Sequence, residues 1–398
     1  MGNAIKSVPR GNEAQLSHTS VPTSASGAQV VPTATKTTMQ SKPSKEQYIA
    51  VFDGLVELVD DEGKVRFLVK DEERLVMKDD VKIAGVKYLP PPADQLKWLL
   101  PRAGEVLRCF KEWEASPKEA NARLYDDLLS HHRGISELPD KRLYDVLALW
   151  DFHTYRQEEA LYSPEIVYYA VIERGKTRSA EGMIYVAYRG VRISSLREAY
   201  IFRMAGNLNA SLFFDIMDLW GKAEKSECED IFLNRFERGS VIPRVNNPDR
   251  GAFRDTDYFD PFGPTIIGTN TAIARVLGSR AITINMKEST HEFPKDVEPE
   301  DGLPLRERLT AFRAWYLGQQ FPDVEKPVKG RLGDITRPLR RILQVVRPDR
   351  EQVFLELCGE LKVGSTLDKA DTREGEIIKA IRSLASEVKG GILPVTHI

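Results

Sequence analysis

AVIERGKT at residues 170–177 is the stretch of sequence that decides the fold. A small residue, four variable positions and Gly-Lys-Thr form the pattern of a phosphate-binding loop, whose backbone and lysine surround a polyphosphate. Gly175 lets the backbone approach the phosphates, Lys176 brings a positive charge to them, and Thr177 offers a hydroxyl to Mg²⁺. Ala170 stands where the stricter pattern has glycine. The motif predicts ATP and Mg²⁺ as ligands.

The residues around this loop fit a strand followed by a helix. Residues 166–172 are rich in β-branched and aromatic side chains, which suits a strand buried on both faces of a parallel sheet. A helix predicted over residues 178–188 would point the positive end of its dipole and its free N–H groups at the loop. Glu173 and Arg174 are bulky and charged. The acidic one must therefore point away from a bound polyphosphate.

A second strand is predicted over residues 208–214, and a carboxylate follows it. Asp215 stands where an acidic group can hold the Mg²⁺ of a nucleotide at the carboxyl end of a parallel sheet. Hydrolytic sites of this type place a glutamate next, to orient the attacking water. Ile216 takes that position, Asp218 is the nearest substitute, and Glu224 is a more distant one. A strand-end turn or a helix cap is the alternative for both aspartates.

Two further polar residues follow in the order expected of a nucleotide-dependent ATPase core. GPTIIGTN at residues 263–270 is a short apolar run, and Asn270 at its tip could position a lytic water or contact a γ-phosphate. Ordinary turn chemistry is the alternative for this asparagine. Arg280 precedes a strand predicted over residues 281–286 and could serve a neighbouring subunit as an arginine finger. Because the chain has 57 lysines and arginines, a solvated surface group remains the alternative for Arg280, and more so for Arg275.

Residues 168–286 resemble the AAA+-like P-loop ATPase domains of DNA primase and helicase-type proteins from bacteria and mobile elements. The resemblance rests on GKT at 175–177, FFDIMD at 213–218, FERGSVIPRV at 236–245, FGPTIIGTN at 262–270 and SRAITINM at 279–286, with LYDDLL and LWDFHTY upstream. It implies that Lys176 and Thr177 bind ATP and Mg²⁺ and that Asp215 coordinates the metal. It further implies that Asn270 senses the γ-phosphate and that Arg280 acts across a subunit boundary.

The hypothesis that follows is an Mg²⁺-dependent ATP-binding protein, an ATPase acting in DNA replication or mobilisation. Ala170 and Ile216 depart from the family pattern, and the second departure bears on hydrolysis, because isoleucine cannot activate water. A degenerate, non-hydrolysing ATPase fold kept as a binding or regulatory module is the competing hypothesis, and a nucleotide kinase is a third. Expected partners are ATP, DNA and further copies of the chain in a homo-oligomer.

Composition predicts a cytoplasmic protein without a membrane partner. The chain has 398 residues, 41% hydrophobic and 29% charged, enough for a core and more than one domain. We find no apolar run of membrane-spanning length and no apolar centre of a secretory signal. Three widely spaced cysteines are expected to be reduced, and the pair His131-His132 is expected at the surface. The net charge of −2 gives no overall attraction to nucleic acid.

We predict the fold class as α/β, a P-loop NTPase three-layer core with an N-terminal β-hairpin and helices and a C-terminal helical region. The predicted segments are a disordered tail at 1–45, a small β unit at 46–92, a helical lead-in at 93–162, the ATPase-like core at 163–290, and a helical lid with a truncated C-terminal region at 291–398. The β unit contains a hairpin around residues 60–64. Five arginines at residues 337–350 form either a basic patch for DNA or the wet face of an amphipathic helix.

Overall fold

A computed structural model describes residues 46–170, 174–251, 253–271 and 273–370. The tail predicted at residues 1–45, the middle of the phosphate-loop motif at 171–173 and the end of the C-terminal region at 371–398 lie outside the described residues. The segment boundaries proposed above stay predictions. Among the helices that are described, none has both the length and the apolar character needed to cross a membrane.

Antiparallel hairpins form the first part of the described chain. Its strands are β1 (Leu55–Asp61), β2 (Lys64–Asp71), β3 (Arg74–Lys78), β4 (Val81–Ile83) and β5 (Val86–Tyr88). β2 pairs with both β1 and β3, and β4 pairs with β5. At the β1–β2 turn, Glu62 and Gly63 have φ of 54° and 88°, and two successive positive φ angles are typical of a type I′ turn. The predicted hairpin is confirmed.

Three helices follow, and they lie within the segment 93–162 predicted to be helical. They are α1 (Ala103–Ala115), α2 (Pro117–Ile135) and α3 (Leu143–Thr154). Trp113 and Trp150 are completely buried, so these rings are core rather than a platform for bases. The surface position expected for the histidine pair is wrong for His132, which is buried with its Nε2 2.7 Å from Oδ2 of Asp151. The face of α2 that carries His132 packs against α3, and the hydrogen bond satisfies its ring there.

A five-stranded parallel sheet forms the centre of the described chain. The remaining strands are β6 (Glu165–Tyr169), β7 (Val191–Ile193), β8 (Leu212–Asp215), β9 (Ile242–Val245), β10 (Thr256–Phe259), β11 (Thr265–Thr269) and β12 (Ala281–Asn285). The sheet has the order β12-β6-β11-β8-β7, and β9 and β10 form a separate antiparallel hairpin. Alternate residues of β6 enter two different hydrophobic clusters, Ile166 and Tyr168 one of them and Val167 the other. The sheet is therefore buried on both faces, as expected of parallel strands.

Helices cover both faces of this sheet. Those after β6 are α4 (Lys176–Ile184), α5 (Glu198–Leu208), α6 (Leu219–Lys225), α7 (Glu229–Asn234), α8 (Arg275–Gly278), α9 (Pro299–Tyr316), α10 (Arg331–Val346) and α11 (Glu351–Ala370). Side chains of α1 to α4 and α9 to α11 join the cluster on one face, and those of α5 to α7 join the cluster on the other. A parallel sheet between two helical layers confirms the α/β class.

Two predicted boundaries around the core are wrong. The first is the start of the strand predicted over residues 208–214. Leu208 is instead the last residue of α5, and Asn209 ends that helix in the left-handed region with φ 49°. Asparagine tolerates this conformation, so the helix stops there and β8 begins three residues later. The helix after the loop begins at Lys176, two residues earlier than predicted, and ends at Ile184.

The arginines of residues 337–350 hold α10 and the turn after it against their neighbours. Their partners are Asp323 for Arg337, Glu351 for Arg340, the carbonyl oxygens of Phe321 and Pro322 for Arg341, Asp126 for Arg347 and Asp145 for Arg350. Four of these five guanidinium groups face a carboxylate that offsets their charge, whereas Arg341 faces neutral carbonyl oxygens and keeps its charge. The amphipathic-helix interpretation is the one that these contacts favour.

Candidate functional site

Three polar residues predicted from the sequence lie at the carboxyl edge of the parallel sheet: Lys176, Asp215 and Asn270. β6, β11 and β8 are neighbours in it and end at Tyr169, Thr269 and Asp215. The register places Tyr169 beside Thr269, and Asp215 beside Gly268. Neighbouring strands lie about 4.8 Å apart, so the backbones of Tyr169 at the end of β6 and of Asp215 are roughly 10 Å from each other. Asn270, half-buried, directly follows β11 and stands between them.

Lys176 begins α4, the helix that follows the loop after β6. Gly175 before it has φ +70°, a conformation that costs a residue with a Cβ about 1–2 kcal/mol, although nothing lies within 4 Å of where a Cβ would be. The ammonium of Lys176 donates to the carbonyl oxygen of Ala170 at 3.0 Å, which folds the side chain back over the loop. Burial lowers the pKa of Lys176, and the negative charge of Asp215 opposes that shift. The charge of Asp215 therefore acts on Lys176.

The oxygen donors at this edge suit a magnesium ion that arrives with a nucleotide. Thr177 lies in the first turn of α4, and the side chain of Asp215 is 26% exposed. Mg²⁺ is usually held by one or two carboxylates together with phosphate oxygens and water. Within the described residues no group of three or more His, Cys, Asp or Glu side chains could hold a metal by itself. One carboxylate and one hydroxyl fit the nucleotide-borne ion and not a resident one.

Arg192 is a residue of this edge that the sequence reasoning missed. It lies on β7. Its Nη2 donates to Oδ2 of Asp215, and its Nη1 donates to Oε1 of Glu181 on α4 at 2.5 Å. Val191 and Ile193 on either side are buried, so the apolar-polar-apolar alternation was the signal for a strand with Arg192 on its polar side. Asp215 therefore lies between two cationic groups.

The residues after Asp215 do not place a second carboxylate beside the loop. Ile216 is only 3% exposed and packs in the cluster formed with α5 to α7. Asp218 occupies the N-cap position of α6 with φ 52°, and its carboxyl group lies over Gly221, where a Cβ would come 2.6 Å from an oxygen. Glu224 accepts a hydrogen bond from the indole of Trp220 at 2.6 Å. Asp218 therefore stands at the helix-cap position, although its side chain makes no capping hydrogen bond there.

Arg280 lies at the opposite edge of the sheet. It immediately precedes β12, next to the amino ends of the strands, whereas Lys176, Asp215 and Asn270 follow strand ends. Its Nη1 donates to the carbonyl oxygen of Val276 at 2.6 Å, and its guanidinium lies over the ring of Phe236 at 4.9 Å. Within one chain Arg280 is therefore not brought to the other three. Its suggested action on a neighbouring subunit stays a prediction.

Two cavities lie at the carboxyl ends of β6 and β12, and neither has Lys176, Asp215 or Asn270 among its lining residues. A cavity of about 380 Å³ is lined by Ala170 and Arg174 of the loop segment, and by Tyr169 and Asn285. A second cavity of about 650 Å³ shares Tyr169 and Asn285 and continues along β12 towards α10 and α11. Small-molecule sites commonly have volumes of about 300–1,000 Å³.

Comparison with known proteins gives weak structural neighbours. No family model matches the chain, and no curated protein does. One similar solved structure is the A form apo structure of the NrS-1 C-terminal region, with 12% identity, 85% of this chain and 80% of that chain covered, and a TM-score of 0.29. Another is an inhibitor-bound JCV helicase, with 12% identity, 66% of this chain and 76% of that chain covered, and a TM-score of 0.27. TM-scores this low do not establish a common fold.

Proposed function

We propose that this protein binds Mg²⁺·ATP at the carboxyl edge of its parallel sheet and acts as an ATPase in DNA replication or mobilisation. The observation that carries the proposal is the position of Lys176 at the start of α4, after a strand that lies two strands from the one ending at Asp215 in the same parallel sheet. Ligands of parallel α/β sheets bind beyond the carboxyl ends of the strands, and helix N-termini attract phosphate.

Each residue would have a distinct task in this reaction. Lys176 would exchange the carbonyl of Ala170 for phosphate oxygens, as a point charge against the developing negative charge. Thr177 and Asp215 would hold the metal, which neutralises phosphate charge when bound. Asn270, which directly follows β11, would orient a water or a terminal phosphate. Positioning and charge neutralisation are the main contributions that phosphoryl transfer requires of a protein.

Lys176→Ala tests the nucleotide site. We expect the affinity for a fluorescent ATP analogue with Mg²⁺ to fall by roughly 10- to 100-fold, the equivalent of one hydrogen bond to a charged group. Lys118→Ala is the matched control, because Lys118 is also in the first turn of a helix, α2, but is exposed and far from this edge. Equal affinities for Lys176→Ala and the wild type would refute the site.

A non-hydrolysing binding or regulatory module is the second candidate function. The buried Ile216 favours it, because no carboxylate stands directly after Asp215 to activate water. Phosphate release measured with and without single-stranded and duplex DNA separates the two candidates. Turnover that DNA stimulates supports the ATPase. ATP binding without turnover under every condition supports the module.

The hairpin of β9 and β10 supports DNA as the substrate. Phe253 in its connecting loop is 102% exposed and has φ 70°, an unusual conformation for a bulky residue. Arg250 and Arg254 lie next to it in the chain, whereas Asp249 and Asp255 offset their charge. Base stacking rather than net charge would thus supply the affinity, about 1–3 kcal/mol per stacked base. Phe253→Ala should weaken single-stranded DNA binding without changing ATP affinity, and unchanged DNA affinity would contradict the assignment of this hairpin.

A further inference from the structure

Arg192 connects the candidate metal ligand to the helix that follows the loop. Its two terminal nitrogens donate to carboxylates on different elements, Asp215 at the end of β8 and Glu181 on α4. The Arg192 side chain reaches from β7 over the ring of Phe213, and its guanidinium lies 5.9 Å from the ring centroid. Arg192 is therefore the bridge between two anionic groups of the same edge.

The charges around Asp215 are closely balanced. Two cations, Lys176 and Arg192, and two carboxylates, Asp215 and Glu181, make up the group, and the nearby Asp215 adds to burial in raising the pKa of Glu181. A divalent cation that coordinates Asp215 adds two positive charges within a few ångströms of the Arg192 guanidinium. At that separation the repulsion between like charges is substantial even in a polar environment.

We propose that Arg192 is a gate for the metal ion: it competes with the divalent cation for Asp215 and moves to Glu181 alone when the metal–nucleotide complex binds. This inference rests on the proposed nucleotide function. The Arg192 side chain is 43% exposed, which leaves it room to move, and Glu181, at 19% exposure, gives it a second anchor on α4. The contact with Asp215 keeps that carboxylate neutralised until the metal replaces it.

The competition predicts changes of opposite sign in two variants. Arg192→Met removes the competitor, so the affinity for Mn²⁺ in the presence of a saturating non-hydrolysable ATP analogue should rise about fivefold, or about 1 kcal/mol, the upper range for a partly exposed ion pair. Glu181→Gln removes the second anchor and commits Arg192 to Asp215, so Mn²⁺ affinity should fall. Combined with Arg192→Met, the Glu181→Gln change should have a smaller effect than alone, since part of it acts through the guanidinium.

Electron paramagnetic resonance of free Mn²⁺ measures these affinities without any turnover. Arg203→Met is the matched control, because Arg203 is an exposed arginine of α5, and it should leave Mn²⁺ affinity unchanged. Unchanged or weaker Mn²⁺ binding in a folded Arg192→Met protein that still binds nucleotide would overturn the gate alone. Absence of Mn²⁺ and nucleotide binding in the wild type would overturn both the gate and the proposed function.

Discussion

The carboxyl group of Glu165, the first residue of β6, should make the stability of the fold depend on pH. Its side chain is fully buried, and within the described residues neither carboxyl oxygen has a hydrogen-bond partner. Burial raises the pKa of Glu165 from 4.5 to about 8, although the positive charges of Arg235 and Arg280 act against the rise. The folded protein therefore keeps this proton in a pH range where the unfolded chain releases it.

The sign and size of the effect follow from that difference. Between pH 4.5 and about 8 the folded state binds more protons than the unfolded state, so the free energy of unfolding falls as the pH rises through this window. At about 1.4 kcal/mol per pKa unit, the loss is on the order of 5 kcal/mol once the pH exceeds the folded-state pKa. Below pH 4.5 the carboxyl is protonated in both states and Glu165 has no such effect.

Glu165→Gln keeps the shape of the side chain and removes its titration. Urea unfolding should show wild type and variant with similar stability at pH 5, and the variant more stable by on the order of 5 kcal/mol at pH 9. Other groups titrate in the same way in both proteins, so the difference between the two profiles isolates Glu165. Parallel profiles from pH 5 to pH 9 would refute the reasoning.

Two further predictions concern the connection between α4 and β7. Arg189→Met should lower the free energy of unfolding by about 3–5 kcal/mol in a urea titration, because it leaves the carboxylate of Glu57 buried without its partner. Lys87→Met, which removes an exposed ion pair, should change the free energy of unfolding little in the same titration. Gly190→Ala should fail to give stable, soluble protein, since a Cβ there would lie 1.9 Å from the carbonyl oxygen of Ile184; a variant with the wild-type thermal midpoint would contradict that packing.

The carboxyl-edge positions could be predicted because parallel strands impose a simple rule. Each apolar run that ends in a polar residue delivers it to the same edge of the sheet, so Lys176, Asp215 and Asn270 followed from three local patterns. The lateral order of the strands has no such local signal. Arg192 reaches Asp215 only because β7, a strand of three residues, is the outermost strand of the sheet and pairs with β8. The position of Arg280 needs no lateral information, because a residue that precedes a parallel strand lies at the amino ends of the sheet.

The departures from the family pattern affect different steps of the proposed reaction. Ala170 contributes its backbone carbonyl to Lys176, and any residue can supply that group, so alanine in place of glycine leaves the lysine contact intact. Ile216 is different, because its side chain points into the cluster on the α5 to α7 side, and a glutamate there would bury a charge. Asp218 lies over the first turn of α6, and Glu224 is bonded to an indole. Nucleotide binding and hydrolysis are thus separable in this chain, because neither Asp218 nor Glu224 takes the place of the glutamate that Ile216 replaces.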